Sequence, residues 1–462
     1  MYVSAMAIAS TDPTTGEVWQ RFAVESQASI ERKLDIAVES FALWSTTGFV
    51  ERAALLRRVA ELLDAEREAC AQLMTREMGK TIRAARAEAE KCAATCRYYA
   101  DESERLLSVE SIQGESQRVQ FDPLGPILAV MPWNFLFWQV VRFAAPAILA
   151  GNVALLKHAS NVPSCALKLE ELFRRAGAPE GVFQALLVGS DVVSSIIADR
   201  RVTAVTLTGS EAAGRAVGAA AGQALKPSVL ELGGSDPFIV LASATLTRAI
   251  DAAVTARTLN NGQSCIAAKR FIVVDELYEQ FMQVFVAKMG ALRVGNPALE
   301  TTDLGPLATR AMRDEVAQQV AALVAAGARV HLGGLIPPGP GNFYPATVLD
   351  SISTSAVSAR DEVFGPVALV FRARDASHAL ELANDSDFGL GASVWTEDRE
   401  QAREFARSLE VGSVFVNSIV ASDPRFPFGG IKRSGYGREL GGYGLREFVN
   451  IKTVRCLFDA TS

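Results

Sequence analysis

Short apolar runs that alternate with amphipathic helical patterns restrict the fold of this chain more than any other feature. Runs at 127–131, 153–156, 204–207 and 238–241 are typical of strands buried in a parallel sheet. The pattern resumes between about 260 and 417, with strand-like runs at 271–274, 367–371 and 413–416 and a helical pattern at 313–326. Because strand and helix alternate, the sequence predicts an α/β fold with two doubly wound domains.

The remaining elements are predicted from periodicity. Apolar residues at three- and four-residue steps across 52–80 predict one amphipathic helix, which Gly79 should end. A second long helix should hold Cys92 and Cys96. The polar, alternating segment 110–121 predicts a hairpin that leaves the main domain, and 450–458 is a candidate partner strand.

Composition and charge exclude several classes of function. The 462 residues are too many for one core of about 100–200 residues, so two large domains are expected. No apolar run reaches 18 residues, so no membrane span is expected. The net charge of −6 is spread along the chain without a basic run, which argues against a nucleic-acid partner. The first residues lack the pattern of a secretory signal, and a cytoplasmic location is expected.

Cysteine and histidine usage restricts the chemistry further. Six cysteines in so long a chain do not form a disulfide framework, so reduced thiols are expected. Histidines occur only at 158, 331 and 378, and none belongs to a metal-binding motif. We therefore expect no metal site.

Three residues are candidates for catalysis. Cys265 follows Gly262 and two polar residues, where a substrate could reach its thiol, although most free cysteines are simply buried. Glu231 precedes a Gly-Gly turn among apolar residues, where desolvation could raise its pKa into the range of a general base. Asn134 follows a strand and could donate to an oxyanion, although an Asn that serves a turn is an equally good interpretation.

A fourth segment could bind phosphate. The sequence TGSEAAG at 208–214 joins a strand to an alanine-rich helix, and the N–H groups at that helix start could hold a pyrophosphate. A capped Gly-Ser turn explains the same residues without a ligand.

Together these pieces resemble the aldehyde dehydrogenase superfamily. The motifs are PWNF at 132–135, LLKHAS at 155–160, TGSEAAG at 208–214, ELGG at 231–234, GQSC at 262–265, EVFGPV at 362–367 and PFGGIKRSGYGRE at 427–439. Their order matches that family, and the resemblance runs from residue 12 almost to the end of the chain.

The resemblance implies a role for each matching residue. Cys265 would attack the aldehyde, Asn134 would stabilise the oxyanion, and Glu231 would activate water for thioester hydrolysis. The residues that would bind a nicotinamide cofactor are Trp133, Lys157, Ser160, Gly209, Ser210, Gly214, Leu232, Glu362 and Phe364.

Ser160 bears on the choice of cofactor. NAD-preferring members of the family commonly have Glu at this position, and a carboxylate there would repel the 2′-phosphate of NADP. Serine is neutral and donates a hydrogen bond. We therefore expect NADP to be preferred, with NAD as the alternative.

Arg142 and Ser422 bear on the choice of aldehyde. Both match positions at which succinate-semialdehyde dehydrogenases of bacteria bind the substrate carboxylate, and an arginine can hold a carboxylate with two hydrogen bonds. Phe135 and Arg257 are further candidates for substrate contact. The second arginine that those enzymes often carry is replaced by Leu259.

The resemblance also implies the division of the chain. Residues 1–104 and 124–233 would form the cofactor-binding domain and 234–438 the catalytic domain. Residues 105–123 and 439–462 would form a small β arm for assembly into a homodimer or homotetramer.

The expected reaction is oxidation of succinate semialdehyde to succinate. Glutarate semialdehyde or short aliphatic aldehydes are the alternative substrates. Rival functions are a CoA-acylating dehydrogenase, a cofactor-free cysteine hydrolase and a non-catalytic binding protein.

Overall fold

In the computed structural model, residues 7–113, 116–353 and 361–456 are described. The strands are β1 (Ala7–Thr11), β2 (Val18–Ala23), β3 (Glu110–Gln113), β4 (Gln117–Pro123), β5 (Pro126–Met131), β6 (Val153–His158), β7 (Phe183–Ala185), β8 (Ala204–Thr208), β9 (Ser228–Glu231), β10 (Pro237–Val240), β11 (Arg270–Val274), β12 (Arg329–Leu332), β13 (Thr347–Asp350), β14 (Val367–Ala373), β15 (Phe388–Gly389), β16 (Gly391–Trp395), β17 (Ser413–Val416), β18 (Ile431–Lys432), β19 (Gly435–Tyr436) and β20 (Val449–Arg455).

The helices lie between these strands. They are α1 (Gln27–Trp44), α2 (Phe49–Ala65), α3 (Arg67–Met78), α4 (Ile82–Leu106), α5 (Trp138–Ala150), α6 (Pro163–Arg175), α7 (Val193–Ala198), α8 (Glu211–Gln223), α9 (Leu246–Thr258), α10 (Asp275–Gly290), α11 (Arg310–Ala325), α12 (Ala376–Asn384), α13 (Arg399–Ser408) and α14 (Gly441–Arg446). A short 3₁₀ helix covers Leu259–Gly262.

Two mainly parallel sheets form the centre of the fold. One has six strands in the order β19-β9-β8-β5-β6-β7, and the other has seven in the order β12-β13-β14-β11-β10-β16-β17. Strands β5, β6 and β8 are nearly or fully buried along their lengths, which explains their unbroken apolar sequences. The two sheets and their flanking helices confirm the predicted α/β fold class.

Helix α5 lies between the first sheet and helices α2 and α4, and all of its residues are buried. It begins after the PWNF segment and ends at Gly151, whose φ of 104° lies in the left-handed region that glycine adopts most easily. A wholly buried helix must satisfy its polar side chains internally or direct them into a cavity. Gln139 and Arg142 are two such residues, and both line cavities described below.

The predicted hairpin is present and forms a separate small sheet. Strands β3 and β4 pair in antiparallel fashion, and β20 pairs with the other edge of β4 from Val449↔Pro123 to Arg455↔Gln117. The predicted partner strand at 450–458 therefore begins one residue earlier, and its residues 457 and 458 lie outside the described ranges. Within those ranges, no helix has the length and hydropathy needed to cross a bilayer.

One helix boundary differs from the prediction, and one strand pairing was not predicted. The helical pattern at 52–80 is two helices, because the backbone leaves helical geometry at Glu66. Glu66 pairs there with Lys168, at 2.6 Å, and with Arg175 of helix α6. Strand β19, in the segment that we predicted to be catalytic, pairs with β9 of the first sheet. The spacing of apolar residues in the sequence does not reveal a helix break at one residue. It also does not reveal that two strands distant in sequence pair at the edge of a sheet.

A buried ion pair fixes the start of helix α5. Lys80 and Glu88 form a salt bridge, and both are almost completely buried. The other oxygen of Glu88 accepts hydrogen bonds from the backbone N–H groups of Phe137 (2.8 Å) and Trp138 (3.0 Å). Because these are N–H groups at a helix start without partners inside the helix, Glu88 holds the start of α5 against α4.

Substitution of Glu88 should therefore destabilise the protein. Glu88→Ala leaves an ammonium and two N–H groups buried without partners, which costs about 3–5 kcal/mol. The midpoint of thermal unfolding, measured by calorimetry, should fall by several degrees. Glu90→Ala is the matched control, because Glu90 is half exposed and forms a surface pair with Arg67. Equal shifts for the two variants would contradict the role of Glu88.

Candidate active site

The loop before Cys265 has an unusual backbone. Asn260, Asn261 and Gly262 have φ values of 55°, 58° and 77°, so three successive residues are left-handed. Asparagine tolerates this region better than most residues, and glycine adopts it freely. Gly262 is also required for space, because a Cβ there would overlap the backbone of Gly365 in the EVFGPV segment. The loop therefore turns sharply just before the cysteine.

Side-chain amides hold this loop in place. Asn260 donates to the backbone oxygens of Asn134 (2.6 Å) and Gln263 (3.1 Å). Asn261 donates to the carbonyl of Gly79 (2.9 Å) and accepts from the N–H of Gly305 (2.9 Å). The loop is thereby connected to the PWNF segment on one side and to the end of helix α3 on the other.

Arg257 is a structural residue rather than the expected substrate contact. Its side chain is completely buried, and it donates to the carbonyls of Gly262 (2.7 Å) and Val367 (3.1 Å). It is not among the described residues that line the substrate-side cavity. Its described partners are backbone carbonyls of the loop and of β14, so Arg257 supports the loop that carries Cys265.

Lys269 is a second buried cation at the loop, and we did not predict it. Its ammonium donates to the carbonyls of Ser264 (2.7 Å) and Cys265 (2.6 Å) and pairs with Glu362 at 3.1 Å. It thus connects the cysteine loop directly to the EVFGPV segment. Its position four residues after Cys265 is the only sequence signal that could have indicated it.

Cys265 lies where two cavities meet. It lines one cavity of about 240 Å³ together with Arg142 and Ser422, and another of about 250 Å³ together with Asn134 and Glu362. Burial raises the pKa of its thiol to about 12, and the nearby cations Lys269 and Arg142 oppose this shift. In this state the sulfur is largely protonated at neutral pH, so the reaction needs a group that removes the proton.

Asn134 and Glu231 both lie close to this junction. The Asn134 amide donates to the carbonyl of Gln263 at 3.2 Å and lines the second cavity. Glu231 ends strand β9, in register with Thr208 on β8, and its carboxylate is buried. Neither of its oxygens has a hydrogen-bond partner among the described residues. Burial raises the pKa of Glu231 well above its ordinary value, which makes the carboxylate a stronger base.

The cavity on the far side of Cys265 contains most of the predicted cofactor residues. Trp133 and Phe364 meet edge to face there, with ring centroids 5.7 Å apart. The predicted residues that line it are Trp133, Gly209, Ser210, Leu232, Glu362 and Phe364. Ser210 caps helix α8, so the N–H groups of that helix start point toward the cavity and suit an anion. These groups fit a dinucleotide.

Three other predicted cofactor residues lie outside that lining. Lys157 is near the end of β6, and burial lowers its pKa. Ser160 follows it and is exposed. Gly214 faces the side chain of Leu232, and a Cβ at this position would lie 2.5 Å from a methyl carbon of Leu232. Since β5, β6 and β8 are parallel neighbours, Lys157 and Ser210 lie at the same edge of the sheet. In the described ranges, no cluster of three or more His, Cys, Asp or Glu side chains could hold a metal ion.

The substrate-side cavity contains Arg142, but its guanidinium already has partners. Its Nε forms a buried ion pair with Glu439, and its Nη2 donates to the hydroxyl of Thr208 at 3.2 Å. Its Cζ lies 4.8 Å from the centre of the Phe428 ring. Glu439, at the end of the PFGG motif, was not among the predicted site residues.

Ser422 and Phe135, the other predicted substrate contacts, also line this cavity, and Lys91 joins them. The ammonium of Lys91 donates to the Ser422 hydroxyl at 2.7 Å and lies 4.1 Å from the centre of the Trp138 ring. Lys91 comes from helix α4, 41 residues before the first motif, which begins at residue 132. No local signal marks it, because a lysine on a long helix is usually solvated.

Comparison of this chain with known protein families, sequences and structures agrees with this geometry. Residues 2–454 match the model of the aldehyde dehydrogenase family. The chain therefore belongs to the aldehyde dehydrogenase family, as the motifs indicated. A protein of Synechocystis sp. named as a probable NADP-dependent succinate-semialdehyde dehydrogenase is 52% identical over 451 residues, which cover 97% of this chain and 99% of that protein.

Two further relatives are similar over nearly their whole length. An NADP-dependent succinate-semialdehyde dehydrogenase of Mycobacterium tuberculosis is 53% identical over 454 residues, 97% of this chain and 99% of that protein. The crystal structure of succinic semialdehyde dehydrogenase from Streptococcus pyogenes in complex with NADP+ superposes with a TM-score of 0.95 at 36% identity, and the match covers 97% of this chain and all of that one.

Proposed function

We propose that the enzyme oxidises succinate semialdehyde to succinate with NADP as the electron acceptor. The observation that carries this proposal is the position of Cys265, which joins a cavity lined by Arg142, Ser422 and Lys91 to a cavity suited to a dinucleotide. The first cavity, at about 240 Å³, is below the roughly 300–1,000 Å³ of sites for drug-sized ligands and fits a short aldehyde. The names of the relatives support both the substrate and the cofactor.

The residues around Cys265 suit each step of this reaction. Attack of the thiolate on the carbonyl carbon makes a thiohemiacetal whose oxyanion Asn134 and the backbone N–H of Cys265 stabilise. Bound NADP supplies the hydride acceptor. The resulting thioester on Cys265 is then open to attack by water, and Cys265 leaves as a thiolate when succinate is released.

Glu231 would activate that water. Its buried carboxylate has no hydrogen-bond partner among the described residues, and its raised pKa suits proton transfer. Glu231 lines neither cavity, although the adjoining Leu232 and Gly233 line the second one. Its carboxylate must therefore rotate or act through a bridging water.

Replacement of Glu231 should separate the two halves of the reaction. Glu231→Gln should still give a burst of NADPH close to one per active site, while steady-state turnover falls about 10²- to 10⁴-fold because thioester hydrolysis is slow. In the wild type, turnover should rise with pH as Glu231 loses its proton, and this dependence should vanish in the variant. Stopped-flow absorbance at 340 nm measures both phases. Loss of the burst together with turnover would assign Glu231 to activation of the thiol instead.

The preference for NADP is proposed to depend on Ser160. The serine is exposed beside the end of β6, near Lys157, and carries no negative charge. A 2′-phosphate could therefore approach without repulsion. Glu211, in the first turn of α8, already pairs with Arg215.

Ser160→Glu should reverse the cofactor preference. A carboxylate at this position should lower kcat/KM for NADP at least about tenfold, since it repels the phosphate, and should lower kcat/KM for NAD much less. The ratio of the two constants, measured with one aldehyde, is the readout. Ser160→Gln is the control of nearly equal size without the charge. Equal effects of Glu and Gln on the ratio would refute the electrostatic explanation.

The substrate assignment is tested by comparing aldehydes. The wild type should have a higher kcat/KM for succinate semialdehyde than for butanal, with glutarate semialdehyde between them. Arg142→Met should lower kcat/KM for succinate semialdehyde about 10- to 100-fold, as expected when a charged hydrogen bond is lost. Arg215→Met, which removes an exposed arginine, is the control. A wild type that oxidises butanal as well as succinate semialdehyde would overturn the assignment.

We also infer that the chain assembles with copies of itself through the small sheet. Among the described residues, strand β20 pairs with β4 alone in that sheet, so its other edge is open there, and Ile451 of this strand is 61% exposed. An open, partly apolar edge favours addition of another strand. Light scattering of the full chain, compared with Ile451→Lys, would distinguish a monomer from a dimer or tetramer.

A further inference from the structure

The substrate-side cavity contains three cationic side chains, and their partners differ. Lys80 is paired with Glu88, and Arg142 is paired with Glu439. The ammonium of Lys91 has no carboxylate partner among the described residues, and its hydrogen-bond acceptor is the neutral hydroxyl of Ser422. Two of the three positive charges are therefore already neutralised.

The geometry of Arg142 also limits what it can offer a ligand. Its Nε faces Glu439, and its Nη2 donates to Thr208. Among the described residues, none accepts a hydrogen bond from Nη1. A carboxylate in the cavity could therefore accept a hydrogen bond from Nη1. It could not form the two parallel hydrogen bonds that an arginine without other partners donates to a carboxylate. The pair of Arg142 with Glu439 also has no net charge, so it provides little long-range attraction for an anion.

Lys91 is placed to supply the net positive charge that the pair of Arg142 with Glu439 lacks. Its half-buried ammonium lines the same cavity and is held between the Ser422 hydroxyl and the face of Trp138. A cation that is partly removed from water without a counter-ion is costly, and an anionic ligand would reduce that cost. Ser422, which accepts from Lys91, keeps its own hydroxyl proton available for donation.

We propose that Lys91 is a specificity-determining residue that binds the terminal carboxylate of the substrate together with Arg142 and Ser422. In this arrangement Lys91 provides the net positive charge, Arg142 provides a directed N–H group, and Ser422 donates its hydroxyl proton. The inference rests on the proposed function, because it concerns the carboxylate end of the same semialdehyde. It adds a residue from helix α4, outside the motifs, to the recognition of the substrate.

Two substitutions separate the charge of Lys91 from its size. Lys91→Met keeps the aliphatic length and the contact with Trp138 but removes the ammonium, whereas Lys91→Arg keeps a positive charge. Steady-state constants would be measured with succinate semialdehyde and with butanal at saturating NADP. Lys288→Met, at an exposed position of helix α10, is the control for loss of a lysine that does not line the cavity. Thermal unfolding would show that each variant is folded.

Lys91→Met should lower kcat/KM for succinate semialdehyde about 10- to 100-fold, mainly through KM, and should lower that for butanal by a much smaller factor. Lys91→Arg should recover most of the loss. If Lys91→Met lowers both constants equally, or neither, the inference is wrong. A wild type without preference for succinate semialdehyde would overturn the proposed function, whereas a wild type whose preference survives in Lys91→Met overturns only the role of Lys91.

A pH profile gives a readout that a purely structural lysine would not change. Burial and the charge of Arg142 lower the pKa of Lys91 to about 8, while Glu88, Cys92 and Asp423 oppose the shift. As the pH rises through 8, Lys91 loses its proton and the anion loses its partner. In the wild type, kcat/KM for succinate semialdehyde relative to butanal should therefore fall above pH 8, and in Lys91→Arg the fall should disappear. An identical fall in both enzymes would contradict the inference.

Discussion

The left-handed turn at Asn260, Asn261 and Gly262 is the constraint on which the site depends. Each of the two asparagines occupies a conformation that costs about 1–3 kcal/mol, so the loop does not adopt this shape without help from its surroundings. The help comes from hydrogen bonds to the PWNF segment and to the end of helix α3. Because the same amides connect segments that are distant in sequence, the position of Cys265 is determined by the assembled fold.

Buried charges form a second framework around that turn. Lys269 connects the cysteine loop to Glu362, Arg257 connects it to the start of β14, and Glu88 anchors the helix that carries Arg142. Most of these groups donate to backbone carbonyls or accept from backbone N–H groups, so their orientation is fixed by the main chain. Such groups can hold a reactive side chain within a small range of positions. The cost of burying them explains why burial shifts so many pKa values near Cys265.

The sequence predicted the parts of this molecule that local patterns determine. Apolar runs gave the strands of both sheets, and the motifs identified Cys265, Glu231 and Asn134 as residues that the fold brings toward one junction. It did not predict Lys91, because nothing in the periodicity of helix α4 distinguishes a lysine that faces a cavity from one that faces water. It misplaced Arg257, because proximity to the nucleophile in sequence does not determine the direction of a side chain in a chain that turns sharply at the next residues.

The two cavities share Cys265 and Gln139 and otherwise have separate walls. The aldehyde side is built mainly from helices α4 and α5, the segment 259–266 and the loop at 419–422. The nucleotide side is built mainly from the segment 132–134, the residues that follow β8 and β9 and the EVFGPV segment. Arg142 donates to Thr208 and Asn260 donates to Asn134 across the boundary, so these residues connect the walls. A change in a wall residue without such a hydrogen bond, for example Ser422, can alter which molecule binds there without disturbing the opposite wall. In descent from a common ancestor, the choice of aldehyde and the choice of nucleotide are free to diverge independently, while the thiol at their boundary stays the same.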